Sequence, residues 1–447
     1  MDAEAPPHSF VTALRAAAPY VHAHHGRVFV LCFGGEAAAA SDFDALIYDI
    51  ALLHSLGVKL VLVHGARPQI SDEITRAGLE ARYHGNLRIT DRPTLDCVTR
   101  AVGALRTDIE ARLSTSLAST PMGGARLRTA GGNWVTARPV GVRDGVDLEH
   151  TGEVRRVDAA TIYEALAARH VVLLSPIGYS PTGEIFNLRA EDVATATACA
   201  LGADKLVFVT PGEPRAWPLA EIAGDAGQIP ASEASALLAD DSRRLAPLDA
   251  DYIRSAVAAC AAGVARVHLI GHAEDGAVLR ELYTLDGAGL FVHADDAYET
   301  TRSAGIDDIG GILGLIAPLE AAGALVPRSR EQLELEIEHF VVTTRDGLVI
   351  ACAALLPLAG AKAAELACVA VHPDYRGGKR AESLLGHLEM RARRQGIAEI
   401  FALTTHTPHW FIEHGFRKTT RDELPVARRD LYNYQRNSLV LVKTLSS

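Results

Sequence analysis

The sequence predicts an α/β protein of two domains: a three-layer α/β/α domain with a mostly parallel sheet, followed by an α+β domain. Three observations carry that expectation. Apolar runs alternate with amphipathic helical segments through the first two-thirds of the chain. The pattern resets near residue 300. Beyond it, two β-rich runs joined by Asp346-Gly347 lead through a further strand and a basic turn into a helix.

Element by element, RVFVLCF (27–33) reads as a buried strand ending at Gly34-Gly35, and KLVLVHG (59–65), HVVLLSP (170–176), KLVFVT (205–210) and RVHLIG (266–271) read likewise. Such unbroken apolar runs suit parallel strands covered on both faces. Phe43, Leu46, Ile50 and Leu53 recur every three or four residues and predict a helix over 42–56. In GARLRTAGGNWVTARPVG (124–141), Gly131-Gly132 separates two alternating runs, which predicts a β-hairpin. The domain boundary is expected at 294–303, before a fresh helix from about Asp307 and another over 330–339. LACVAV (366–371) is a strand stopped at His372-Pro373, where proline cannot extend the pairing. Leu384, Leu385, Leu388 and Ala392 mark one face of the helix behind the turn.

A chain of 447 residues with 48% hydrophobic composition can fill more than one core. The formal net charge of −11 argues against a nucleic-acid-coating or membrane-surface protein. Cysteines at 32, 97, 199, 260, 352 and 368 form no CxxC pair, so reduced thiols are expected rather than disulfides or a zinc site. His22, His24 and His25 lack a neighbouring carboxylate, and no metal is expected. MDAEAPPHSF has no apolar core of a secretory signal, and no apolar run approaches the ~18 residues of a membrane span. A cytoplasmic location follows as an expectation.

Arg376, Gly377, Gly378, Lys379, Arg380 and Ala381 lie between the last strand and its helix. Small residues let successive backbone N–H groups converge, a helix N-terminus adds partial positive charge, and three basic side chains add full charges. On the residues alone this is either a pyrophosphate seat or a tight turn with a solvated basic face.

The region resembles the GNAT acetyltransferases, whose coenzyme A pyrophosphate sits on an Arg/Gln-x-x-Gly-x-Gly/Ala loop. Lys379 stands where that motif has its middle glycine. ELACVAVHPDYR (365–376), LTTHTPHWFIEHGF (403–416) and LYNYQRNS (431–438) are similar, more specifically, to the acetyltransferase domain of bacterial N-acetylglutamate synthases, which tolerate a non-glycine there. The resemblance implies acetyl-CoA as co-substrate, L-glutamate as acceptor and direct sequential transfer, the entry to arginine biosynthesis. Glu365 matches the proposed general base, which the reaction needs because the amine of glutamate is protonated at neutral pH. The N–H groups of Cys368 and Val369 would face the developing oxyanion where this strand splays from its neighbour. Val371 and the residues Arg376 to Ala381 complete the implied coenzyme contacts. Thr404 matches a hydroxyl that donates to the departing thiolate. Arg328, Arg436 and Ser438 match positions that bind the carboxylates of glutamate, work suited to a bidentate guanidinium. Leu439 stands where some relatives carry a basic residue. Taken alone, Glu365 could equally be a strand-edge charge and Thr404 an ordinary strand threonine. A covalent acetyl-Cys368 route would need a base placed to activate the thiol, and a cysteine here is more simply a small buried residue.

LCFGGE (31–36), LVHGARPQI (62–70), NLRAEDVATATACALGADKLVFVT (187–210) and RVHLIGHAEDGAVLRELYTLDGAG (266–289) resemble the amino-acid kinase fold, N-acetylglutamate kinases in particular. Active kinases carry a lysine where this chain has Cys32, a second and a third glycine where it has Ala66-Arg67, and Asn-Ala-Asp where it has Arg189-Ala190-Glu191. Kinase activity is therefore expected to be absent. In arginine-inhibited relatives this domain binds L-arginine, and position assigns Lys205, His268, Glu281 and the turn Asp286-Gly287-Ala288-Gly289 to that site, with Glu281 meeting the guanidinium and Gly287 and Gly289 offering carbonyls. Phe10, Leu14, Ala17 and Val21 share a helical face that resembles the segment joining such dimers into hexamers. The expected organisation is an oligomerisation helix at 1–25, a kinase-like regulatory domain at 26–295, a linker at 296–304 and an acetyltransferase domain at 305–447. Rival readings are a bifunctional synthase–kinase, a non-catalytic arginine sensor and an acetyltransferase for another amine.

Overall fold

A computed structural model describes residues 7–115, 127–224, 227–240, 245–284, 287–294, 299–345, 347–358, 360–376, 379–404, 407–429 and 438–445. The chain divides into two compact units, Met1–Tyr298 and Glu299–Ser447.

The first unit is built on an eight-stranded sheet in the order Gln228–Pro230, Leu290–His293, Arg266–Gly271, Lys205–Thr210, Val28–Phe33, Lys59–His64, Val171–Leu174, Thr129–Ala130. Its pairings are parallel except that between Arg266–Gly271 and Leu290–His293. Val28–Phe33, Lys205–Thr210 and Arg266–Gly271 are buried along their whole length, which is why these segments lack polar alternation. Successive side chains enter opposite cores. Val30, Val61, Phe208 and Leu269 pack on one face with the helix Ala190–Leu201, and Phe29, Leu31, Leu62 and Val207 pack on the other with Phe43–Ser55. That arrangement is the expected three-layer α/β/α architecture. The helix Pro7–His24 docks beside it. Ala17 and Val21 pack toward the core, and His24 bonds the Leu282 carbonyl at 2.8 Å.

The hairpin expected at 124–141 does not form. Thr129–Ala130 joins the main sheet in parallel with Val171–Leu174, whereas Val135–Pro139 pairs antiparallel with Gly152–Val157 in a separate four-stranded sheet. Gly131 serves close packing instead of a hairpin turn, because a Cβ there would collide with the Leu173 carbonyl oxygen and the Arg106 guanidinium.

The second unit has seven strands in the order Thr300–Ser303, Phe340–Arg345, Leu348–Pro357, Ala363–Val371, Glu399–Thr404, Leu439–Thr444, Arg417–Thr419. Among the described residues, only Ala363–Val371 and Glu399–Thr404 run parallel, so the unit is α+β as expected. Arg380–Arg394 buries Leu384, Leu385, Leu388 and Ala392 on one face of the sheet, and Ile309–Ala321 covers the other. The linker expectation for 296–304 is corrected here. Thr300–Ser303 is an edge strand of this unit, paired with Phe340–Arg345, and Thr301 and Thr343 hydroxyls meet at 3.0 Å. Arg302 holds Asp308 through two nitrogen–oxygen contacts of 2.7 and 2.8 Å. A polar edge strand carries no apolar run, so its composition reads as a connector.

Among the described residues no helix is long and apolar enough to cross a membrane. Gly131→Ala should destabilise the folded protein by about 1–3 kcal/mol, because the new methyl must displace a strand carbonyl. Denaturant unfolding measures this, and unchanged stability would contradict the packing role.

Candidate active site

The site of the second unit begins with a break in the Ala363–Val371 strand. On the Leu348–Pro357 side, Cys352 pairs with Ala370 and Ala354 with Ala367, so Ala353 alone faces both Cys368 and Val369. This is a β-bulge, and Cys368 adopts φ 52°, a left-handed conformation rare outside glycine. The bulge resets side-chain alternation. Leu366 and Val369 pack under Arg380–Arg394, while Cys368 and Ala370 enter the opposite core. On the other side, parallel pairing with Glu399–Thr404 runs only to Leu366↔Ala402. Past that point the neighbouring strand continues with its far partner, through Leu403↔Val440 and Thr404↔Leu439. The two central strands therefore part, with Cys368 and Val369 on one rim and Thr404, beside Ser438, at the end of the other.

Glu365 sits half-buried in the last paired stretch, opposite Phe401. Thr404 Oγ1 accepts from the Thr407 N–H at 3.2 Å. Arg328 reaches the bulge from the segment after Ile309–Ala321. Its Nη1 donates to Cys368 Sγ at 2.9 Å, its Nε lies 3.3 Å from Glu336, and its own N–H donates to Glu320 at 2.9 Å. Burial pushes the Cys368 thiol up to about 11, with Arg328 lowering it and Glu336, Glu320 and Glu365 raising it. A thiol held protonated at neutral pH is a poor nucleophile, so what this residue offers chemically is its backbone.

The turn after the strand starts with a 3-10 segment, Pro373–Tyr375, and ends where the helix Arg380–Arg394 begins. Arg376 and Lys379 are exposed there. Arg380 is not a free charge. Its guanidinium grips Glu299, a carboxylate 81 residues earlier in the chain, and donates to the Tyr375 carbonyl. Sequence reasoning missed Glu299 and Tyr375, and also Glu320 and Glu336 around Arg328. The only sequence signal available was Tyr375 standing directly before Arg376. Gly377, Gly378 and Arg436 lie outside the described residues.

In the first unit, the Gly34-Gly35 and Gly65 loops approach each other closely beside a cleft lined by Glu36, Arg67 and Arg189. A Cβ at Gly65 would press on Gly35 N and Gly34 Cα at 3.1 and 3.2 Å. Cys32 is buried, and burial, then Glu191 and Asp192, raise its thiol well above the ordinary range, so it carries no charge. His64 is driven down to about 4 by burial, against a bond to the Gly65 carbonyl, and remains a neutral imidazole 2.8 Å from Ser175 Oγ. Arg189 is paired with Asp251 at 3.1 Å.

On the adjacent inner strands Lys205–Thr210 and Arg266–Gly271 of that sheet, Lys205 and His268 form one buried chain with Glu281. Lys205 Nζ lies 3.4 Å from His268 Nε2, and His268 Nδ1 lies 2.6 Å from Glu281. The second oxygen of Glu281 accepts from the N–H groups of Ala288 and Gly289 at 2.7 and 2.9 Å. The glycine turn is thus tied to the helix Ala277–Tyr283; Asp286 lies outside the described residues. Burial pushes Glu281 up, but the bond and charge of His268 and the two N–H donors outweigh it and hold the carboxyl near about 2. Burial and Lys205 lower His268, which fits a neutral ring. Three of the four lone-pair positions of Glu281 are used internally. Among the described residues, no group of three or more His, Cys, Asp or Glu is placed to hold a metal ion.

A mostly parallel unit with remodelled phosphate loops, followed by a split-strand unit, is the architecture of an amino-acid-kinase-like domain joined to a GNAT acetyltransferase domain. Family models agree: the amino acid kinase family matches residues 27–213 and the acetyltransferase (GNAT) domain matches 336–418. Over 98% of this chain and 100% of the relative, an amino-acid acetyltransferase of Ectopseudomonas mendocina is 51% identical. The amino-acid acetyltransferase of Azotobacter vinelandii is 52% identical over 98% of this chain and 99% of its own. N-acetylglutamate synthase from Neisseria gonorrhoeae, solved with coenzyme A and L-arginine, is similar with a TM-score of 0.82 at 36% identity, covering 98% of this chain and 100% of that one. Its complex with coenzyme A and N-acetyl-glutamate gives a TM-score of 0.61 at 37% identity over the same shares. The chain belongs to the amino-acid acetyltransferase family, and it is an acyltransferase with acetyl-CoA as co-substrate.

Two outcomes follow. Incubation with acetyl-CoA and no acceptor should leave Cys368 unacetylated by peptide mass analysis; stoichiometric acetyl-Cys368 would contradict the protonated thiol. Between the ordinary carboxyl value of 4.5 and the folded value of about 2, an unfolded Glu281 binds a proton that the folded one does not. Its contribution to stability is complete above about pH 4.5 and fades as pH falls toward 2. Glu281→Gln should flatten the pH dependence of unfolding in that window, and an unaltered slope would show that the carboxylate is not held low.

Proposed function

We propose that the chain transfers the acetyl group of acetyl-CoA to the α-amine of L-glutamate, and that L-arginine restrains the reaction through the kinase-like unit. The observation that carries the reading is the parted strand at Cys368 with Arg328 delivered to the same point. Transfer to an amino-acid acceptor calls for N–H donors toward the carbonyl oxygen and a cation near the acceptor carboxylate, and the parted strand and Arg328 support that reading.

In the proposed step, the ammonium of glutamate gives a proton to Glu365, directly or through a water. The amine lone pair then forms the N–C bond to the acetyl carbonyl, whose oxygen takes up negative charge toward the N–H groups of Cys368 and Val369. Collapse breaks the C–S bond, and the second proton of the attacking nitrogen passes through the Thr404 hydroxyl, which gives its own proton to the departing thiolate as it takes up the one from nitrogen, leaving a neutral amide and coenzyme A thiol. Arg328 holds one acceptor carboxylate, with Arg436 and Ser438 assigned to the other. The coenzyme pyrophosphate is assigned to the backbone of 376–381, with Arg376 and Lys379 as the charges facing it and Val371 along the approach.

L-Arginine is assigned to the Lys205–His268–Glu281 cluster with the carbonyls of Gly287 and Gly289. Support comes from the helix carrying Glu281, which also receives His24 from Pro7–His24, so an effector there would bear on the N-terminal helix. Phe10 and Leu14 are 68% and 56% exposed on that helix, which supports assembly through it into a homo-oligomer, a hexamer by family expectation. Kinase chemistry is excluded from the proposal because Cys32 supplies no charge and Arg189 is already paired.

Glu365→Gln should lower kcat by roughly 10²–10³ while the affinity for coenzyme A changes little. Loss of affinity alone would refute the base assignment. A panel of amino-acid acceptors should give turnover with L-glutamate that L-arginine suppresses, and ATP with N-acetylglutamate should yield no ADP. Turnover that prefers another amine, or ADP at a useful rate, would overturn the corresponding part.

A further inference from the structure

The Arg380 guanidinium spans the basic turn from end to end. Arg380 is the first residue of the helix, and its Nη1 donates at 2.7 Å to the carbonyl of Tyr375, the residue immediately before Arg376. Its remaining nitrogens close on Glu299, with Nε at 2.9 and 3.1 Å from the two oxygens and Nη2 at 2.6 Å. Both side chains are mostly withdrawn from solvent, at 15% and 18% exposure. The Tyr375 ring lies 5.6 Å below the guanidinium and is itself buried, with the His372 ring 5.5 Å away at a steep angle. His372 in turn donates its N–H to Ile350 at 2.9 Å, anchoring the start of the turn to the sheet.

We propose that Arg380 and Glu299 are positioning residues for acetyl-CoA: the guanidinium staples the entry of the turn to its exit, and Glu299 aims the guanidinium. This rests on the reading of 376–381 as the pyrophosphate seat. The physical reason is preorganisation. Backbone N–H groups bind a diphosphate well only if they converge before it arrives, since ordering the turn on binding would be charged against affinity. A planar fork can hold a carboxylate with one edge and a carbonyl with a third nitrogen, which a lysine cannot do. Glu299 is the first residue of the second unit, so the staple also fixes the turn to the point where the chain enters that unit.

The test uses the full-length enzyme and compares Glu299→Gln, Arg380→Lys and Arg376→Ala by steady-state kinetics, calorimetric binding of coenzyme A and thermal unfolding. With Glu299→Gln, KM for acetyl-CoA should rise about tenfold, the loss of one charge-assisted contact, with kcat, KM for the acceptor and Tm nearly unchanged. Arg380→Lys should raise the same KM although it keeps the charge. If Arg380 instead met the pyrophosphate directly, Glu299→Gln would release it and KM would fall; a fall or no change overturns the proposal. A proportional loss of kcat, both KM values and Tm also overturns it, leaving only a structural role. Arg376→Ala separates the two layers: unchanged coenzyme affinity in that variant refutes the seat itself, whereas weakened affinity there with normal Glu299→Gln refutes only the staple.

Discussion

The left-handed turn of the backbone at Cys368 is the constraint on which the proposed acetyl-transfer site depends. For a residue with a side chain, such a conformation costs on the order of 1–3 kcal/mol and persists only where the surroundings over-determine it. Here the strand is fastened on both sides of the bulge, at Ala367 and Ala370, to the same neighbour. Holding those two points leaves Cys368 and Val369 to share one opposing residue. The mismatch turns the strand away from Glu399–Thr404 after Leu366. A groove between parted parallel strands is the consequence. Arg328 and the helix behind the basic turn are placed by the same sheet, so one local irregularity sets the position of several functional groups.

The first unit keeps the fold of a phosphotransfer domain while its electrostatics have moved elsewhere. Its core is a set of fully buried strands whose stability owes nothing to the phosphate loops, so the loops can change without cost to the fold. A neutral Cys32 and a paired Arg189 remove charge from the cleft. Two inner strands of the sheet hold a charged chain, Lys205–His268–Glu281, in a setting where solvent cannot screen it. Glu281 also ties down the Ala288–Gly289 backbone. A ligand that bonded any member of this chain would alter the others.

What the sequence made legible follows from which forces leave a local trace. Buried parallel strands announce themselves as apolar runs, and the amphipathic helix behind the turn announces itself through Leu384, Leu385 and Leu388. The family motifs nominated Glu365 and Thr404 because each lies within a distinctive string, whereas Arg328 was nominated by its matching position alone. Long-range pairing leaves no such trace. Thr300–Ser303 reads as a connector since its partner strand lies some forty residues away, and Gly131-Gly132 reads as a hairpin since the collision it avoids involves Leu173 and Arg106. The positive φ at Cys368 was hidden because the residue is not glycine. Arg380 reads as a free charge until Glu299 is brought beside it.

The central claim, that the bulge exposes the N–H groups receiving the acetyl carbonyl while the helix start holds the diphosphate, is tested most directly by amide hydrogen exchange with and without coenzyme A. Slowed exchange concentrated in 367–371 and in the first turn of Arg380–Arg394 is the predicted result. Protection confined to the Gly34-Gly35 and Gly65 loops of the first unit, with those segments unchanged, would contradict it.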